Sequence, residues 1–220
     1  IDGNSCSDSW RGIFALLCCG ITITDNDCHG QVVGNILLSH SDKNLVCDNV
    51  CSFSSLDDGI VLYDSDNNSL EDNVCSTNDQ FGISLDGSSC NNSICGNQMR
   101  DNYEYGISVS VSCSNNTIWN NTFVDNNEAG DNYIVNCAQA FDEGNDNRWN
   151  SSGTPHGYGN YWSDWTSPDV DADGIVDGPY VLRLVELTKL VELRPIYRNW
   201  AAVSVNHRIT VVILEVHREE

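Results

Sequence analysis

The chain has 220 residues, with 32 acidic and 10 basic side chains and a formal net charge of −22. That charge excludes nucleic acid and anionic membrane as natural partners. No apolar run reaches the roughly 18 residues of a membrane span.

The charge is uneven. Residues 1–180 hold 27 Asp and Glu against 4 Lys and Arg, whereas residues 181–220 hold 5 against 6. The first residue is Ile1 rather than Met, which reads as a processed chain or a fragment.

Residues 1–12 read as a partial coil or the approach to one, so that the repeat domain spans 1–148, with Asp2-Gly3-Asn4-Ser5 turn-like. From Gly12 a pattern recurs. Gly12-Ile13, Asn35-Ile36, Gly59-Ile60, Gly82-Ile83 and Gly106-Ile107 open successive extended runs, and Gly130 continues the series. A sharper marker is Asn26, Asn49, Asn73, Asn97, Asn121 and Asn145, at steps of 23, 24, 24, 24 and 24 residues. A short, nearly constant period is the signature of a solenoid. One unit cannot bury a core alone. Stacked units can, because equivalent strands then pair at about 4.8 Å and equivalent side chains form columns.

The predicted fold is all-β: a right-handed parallel β-helix of about six coils of 23–24 residues, from Gly12 to about Arg148. Three inward columns are expected. They hold Ile60, Ile83 and Ile107; Leu70, Ile94 and Ile118; and Cys28, Cys51, Cys75, Met99 and Phe123. The marker asparagines are expected at a coil corner, in left-handed backbone, with amides bonded into a ladder.

The 11 cysteines follow the same logic. Cys28, Cys51 and Cys75 share one repeat position, and Cys90, Cys113 and Cys137 are expected to share another. They read as buried free thiols, small apolar residues that stack well. Parallel Cβ vectors on adjacent coils stay wider than the roughly 3.8 Å that a disulfide prefers.

The units Gly59–Asn73, Gly82–Asn97 and Gly106–Asn121 share the pattern GI…NN[ST]I..N. This resembles the repeats of the family shared by periplasmic nitrous oxide reductase maturation protein D and many archaeal and bacterial surface proteins. The resemblance covers residues 10–180. It implies the right-handed parallel β-helix and an extracellular, cell-surface or periplasmic location. It also suggests copper delivery, yet Met99 is the only methionine and no His/Met cluster is visible.

Residues 149–180 read as a cap carrying Trp149, Tyr158, Tyr161, Trp162, Trp165 and Tyr180. The run Gly159-Asn160-Tyr161-Trp162-Ser163-Asp164-Trp165, ending later in Gly178-Pro179-Tyr180, is similar to the segment that follows the β-helix in that family. Inside it, Asp169, Asp171, Asp173 and Asp177 fall at positions 1, 3, 5 and 9 of a loop with Gly174 at position 6. Carboxylates this close call for a hard cation, so a Ca²⁺ site is expected, with the Ile175 carbonyl as neutral ligand. Tyr180 replaces the glutamate of position 12, so an outside carboxylate such as Asp164 would complete the shell. Residues 181–220 break the style, with asparagine and glycine nearly gone. They form an atypical tail of undefined structure.

Chemistry is sparse. The five histidines are out of phase, and no nucleophile triad or phosphate loop is evident. Asp57, Asp58, Asp79, Glu104 and Glu128 precede the Gly-Ile positions and are expected to form an acidic stripe. With Trp162 and Trp165, Asp58, Asp79, Glu104 and Glu128 are the candidate sugar contacts. Five N-x-[ST] sequons occur, three of them 24 residues apart, at Asn67, Asn91 and Asn115.

Two functions follow. The first is a non-catalytic extracellular or envelope scaffold or binding module, with glycans or other envelope proteins as partners and self-association end to end or side by side. The alternative is a carbohydrate-active enzyme, of polysaccharide lyase or glycoside hydrolase type, or a sugar-binding module using the stripe and the cap. The absence of a paired acid/base motif favours the first.

Overall fold

The computed structural model describes residues 1–128, 137–151 and 159–165. Each turn of chain gives one short strand to each of three parallel sheets. The first sheet stacks Ser5–Ser7, Asp27–His29, Val50–Ser52, Val74–Ser76, Gln98–Arg100, Thr122–Val124 and Tyr161–Trp162. The second stacks Ile13–Leu16, Ile36–Ser39, Ile60–Tyr63, Ile83–Asp86, Ile107–Val109 and Ala140–Asp142. The third stacks Thr22–Thr24, Leu45–Cys47, Ser69–Glu71, Ser93–Cys95 and Thr117–Trp119. This is the expected parallel β-helix, with five turns complete on all three faces. The stack starts before Gly12, since Asp2 bridges Thr24 and Ser5–Ser7 pairs with Asp27–His29. At the other end Tyr161–Trp162 pairs with Thr122 and Phe123, so part of the aromatic segment is built into the first sheet.

The columns follow from strand alternation. Ile36, Ile60, Ile83 and Ile107 stack in register and are fully buried. So are Val46, Leu70, Ile94 and Ile118 on the third sheet. On the first sheet, Cys28, Cys51, Cys75, Met99 and Phe123 run in single file. Each aliphatic side chain so buried contributes about 1.5–3 kcal/mol. The recurring glycine has a steric cause. A Cβ on Gly82 would lie 2.6 Å from the Gly106 carbonyl oxygen of the next coil and 2.8 Å from Met99 Cγ.

The corners have a common design: one residue in left-handed backbone, then one buried polar residue that bonds to its equivalent on the next turn. The marker ladder runs Asn4, Asn26, Asn49, Asn73, Asn97, Asn121, Asn160. In each step the carboxamide oxygen of one asparagine accepts the side-chain N–H of its equivalent on the preceding turn. The left-handed residues are the preceding ones, Asp25, Asp48, Asp72, Gly96 and Asn120, and not the marker asparagines as expected. Asn145 is not a member. The last turn is longer, and Asn121 meets Asn160, 39 residues on, while Asn145 bridges Ser114 on the third side of the coil. Three further ladders accompany the first. They are Asn44–Asn68–Asn92–Asn116–Asn147, the run Asn78–Asn102–Asn126–Gln139, and the hydroxyl column Ser41–Ser65–Ser89.

The second cysteine column is corrected by one residue. Cys113 is buried, but Cys90 faces Ser114, whose backbone N–H lies 3.3 Å from its sulfur. The local period is 24, whereas Cys90 and Cys113 stand 23 apart.

Candidate functional site

The outward face of the second sheet carries a groove toward its first turns. Its outward column is Phe14, Leu37, Val61, Ser84, Ser108 and Phe141. Phe14 is half exposed, yet Val61, Ser84 and Ser108 are buried although they point away from the core. The cause is the corner that leads into each strand. It carries Asp58, Phe81 and Tyr105 at equivalent positions, and these side chains rise beside the column. The Phe81 and Tyr105 rings stack at 5.9 Å, and Tyr105 stacks on Phe141 at 5.3 Å.

The corner before Ile60 is one residue longer than its neighbours: Cys51 and Ile60 are nine apart, against eight for both Cys28–Ile36 and Cys75–Ile83. It places Asp57 and Asp58 at the edge of a groove of about 380 Å³. Phe14, Leu37 and Val61 form its floor, and Arg11, Tyr63 and Asp86 complete its rim.

Three carboxyl groups and one guanidinium set the electrostatics. Asp58 is buried. Its Oδ1 accepts the Phe81 backbone N–H at 2.9 Å, and its Oδ2 accepts the Ser84 hydroxyl at 2.5 Å. Burial pushes its carboxyl up to about 7, against the opposing pull of those two hydrogen bonds. Asp57 is half-buried and is also raised by burial, with the Asp58 backbone N–H and Arg11 pulling the other way. Asp86 accepts the Ser110 hydroxyl. The Arg11 guanidinium lies 5.2 Å from the Phe14 ring centroid. Just outside, His40 Nε2 lies 3.5 Å from Asp64 Oδ2, and its ring tilts against Tyr63.

The expected stripe is not one column. Asp58 is equivalent to Phe81 and Tyr105, whereas Asp79 is equivalent to Tyr103. Asp79 is exposed at the corner after the first sheet, and Glu104 is half-buried. Glu128 ends the 3-10 turn Asn126–Glu128. Trp162 is no sugar platform. It is 5 % exposed and stacks on Phe123 with ring centroids 4.1 Å apart, because the seventh strand of the first sheet turns it inward. Trp165 packs partly buried against the same core. Asp164 is fully buried and accepts the Gln139 amide at the end of a ladder. Asp169, Asp171, Asp173, Ile175 and Asp177 lie outside the described residues, as does the tail. Arg11, Phe14, Tyr63 and Asp86 escaped the sequence reading. Their signal was the outward phase of the same repeat that gave the core.

A family model described as periplasmic copper-binding protein (NosD) matches residues 1–167. Copper(I) favours thiolate and thioether sulfur. Here Cys28, Cys51, Cys75 and Met99 lie in single file, with no exposed surface. Burial pushes the Cys28 thiol up to about 12 and raises that of Cys51 as well. Among the described residues no three His, Cys, Asp or Glu side chains gather as a metal centre requires. The described donor set therefore does not fit a copper centre.

None of the curated proteins compared matches the chain. The solved structures similar to it include the periplasmic alginate epimerase AlgG, at 22% identity over 57% of this chain and 33% of that one, with a TM-score of 0.46. A single-substitution variant of that enzyme is similar at 23% identity, with the same coverage and a TM-score of 0.48. This chain thus spans about a third of the length of those proteins, and the likeness is one of fold alone. Among the described residues no helix is long and apolar enough to cross a membrane. The family is periplasmic, in accord with the expected location outside the cytoplasm. With residues 1–167 matched, and with the stacked asparagine corners and parallel coils in place, the chain belongs to the NosD family of periplasmic copper-binding proteins.

Proposed function

We propose that this protein is a non-catalytic envelope scaffold whose second-sheet groove binds a glycan chain. The observation that carries the reading is the groove itself, with Phe14, Leu37 and Val61 as its floor and Asp57, Asp58, Asp86 and Tyr63 at its rim. A rigid, periodic, partly apolar trough with a few convergent polar groups suits an extended ligand of periodic structure. The half-exposed rings of Phe14 and Tyr63 offer faces on which sugar rings can stack.

A second reading, a carbohydrate-active enzyme, is favoured by Asp58 alone. A carboxyl held near 7 is protonated in part at neutral pH, as a general acid must be. One assay separates the two. A glycan array followed by reducing-end analysis of every bound glycan gives binding without cleavage on the scaffold reading, and binding with release of new ends on the enzymatic one. An array with no binding contradicts both. The Asp169–Asp177 loop adds a Ca²⁺ site to the proposal, on its carboxylate spacing.

A further inference from the structure

We infer that the groove takes a cationic glycan, a chain of hexosamine units bearing free amines, in preference to neutral or uronate chains. This rests on the glycan reading above and names its substrate class.

Charge complementarity carries the inference. Asp57 and Asp86, both partly exposed, line the groove with the buried Asp58 beside them, against Arg11 alone, in a chain of net charge −22. Such a field concentrates cations and repels a polyuronate. The carboxyl groups also have the wrong distribution for a single metal ion. Asp57 and Asp58 precede one strand and Asp86 ends the strand of the next turn, and among the described residues no three such groups gather. Asp57 and Asp58 stand on one rim and Asp86, in register with Tyr63, on the other. A chain with one amine per sugar lying in the groove meets a carboxyl group on either side.

The floor agrees. Phe14, Leu37 and Val61 are apolar and suit the flat faces of pyranose rings. The Phe14 ring already holds a cation at 5.2 Å, in Arg11, and Tyr63 presents a second exposed ring on the opposite rim. An ammonium group over either ring gains the same attraction. A basic peptide is the competing occupant, and the backbone disfavours it. Strands of the second sheet pair along the axis, so the floor presents side chains and not the free N–H and C=O groups that an added peptide strand would use.

The test is calorimetric titration of the whole chain with four probes: glucosamine hexamer, N-acetylglucosamine hexamer, an alginate oligomer and hexalysine. Glucosamine hexamer should bind, the acetylated hexamer about tenfold or more weakly, and alginate not at all. Asp86→Asn should weaken the glucosamine complex by about tenfold and reduce its salt sensitivity. Asp57→Asn, at a half-buried corner, gives the same readout should Asp86→Asn fail to fold. Equal binding of the two hexamers, with both variants unaffected, overturns the cationic assignment and leaves the glycan reading standing. Preference for alginate overturns it likewise. Hexalysine binding as tightly as glucosamine hexamer overturns it in favour of a polypeptide. Failure of all three sugars overturns the glycan reading itself.

Discussion

Asn121 Oδ1 accepts two hydrogen bonds from Asn97, one from its backbone N–H at 2.9 Å and one from its side-chain amide at 3.0 Å. The Asn97 amide also donates to the Leu70 carbonyl at 2.9 Å. Asn97→Leu keeps the backbone bond to Asn121 but strands the Asn73 backbone N–H and amide, which donate to Asn97 Oδ1, and the Leu70 carbonyl, all buried on the preceding turn. A loss of about 3 kcal/mol is expected in denaturant unfolding. Asn145→Leu, outside the ladder and half-buried, should cost no more than ~0.5 kcal/mol. Equal losses at the two sites would contradict the ladder.

The thiols offer a second test. Cys28, Cys51 and Cys75 are closed inside the coil, whereas Cys19 is exposed. Iodoacetamide should label Cys19 in the native protein within minutes and leave the three stacked thiols unmodified until denaturant is added. Mass mapping of labelled peptides gives the answer. Rapid native labelling of Cys51 would show that the first-sheet column is not core.

Asp58 makes stability depend on pH. Its carboxyl is raised from 3.8 to about 7, so the folded state holds the proton more tightly than the unfolded chain does. That contribution is fully present below about pH 4 and is lost as pH rises through 7. Asp58→Asn keeps the site neutral throughout. The variant should gain on the wild type between pH 5 and pH 8, by up to ~4 kcal/mol, with the gap closing toward acid. A difference that stays constant with pH would mean that the Asp58 carboxyl is ordinary.

The Asp169–Asp177 loop predicts a rise in melting temperature on adding millimolar Ca²⁺ to chelator-treated protein, and heat in a calorimetric titration. Asp171→Ala should abolish both while the upstream coils keep their circular dichroism. An unresponsive wild-type protein would remove the site.

The period was legible because every rung must place the same kind of residue in the same column. Ile60, Ile83 and Ile107 therefore announce themselves, as do Asn73, Asn97 and Asn121. The same period also held Asn44–Asn116 and Ser41–Ser89, which are harder to see among so many Asn and Ser residues. Asn145 misled because the last turn is lengthened, so a continuing step of 24 no longer meant a continuing rung. Trp162 misled because a core ring and a sugar platform have the same composition. The groove was obscure for a different reason. Outward positions carry no requirement for sameness, and Phe14, Val61 and Ser84 look unrelated until the register aligns them. What the sequence did hold was the single extra residue before Ile60.

Hydroxyl-radical footprinting with glucosamine hexamer bears most directly on the groove. Phe14 and Tyr63, both near half exposure, should lose reactivity on binding, while Phe53 and Tyr103, exposed on corners outside the groove lining, should not change. Protection of Phe53 or Tyr103 with Phe14 and Tyr63 unaltered would place the ligand elsewhere and contradict the account.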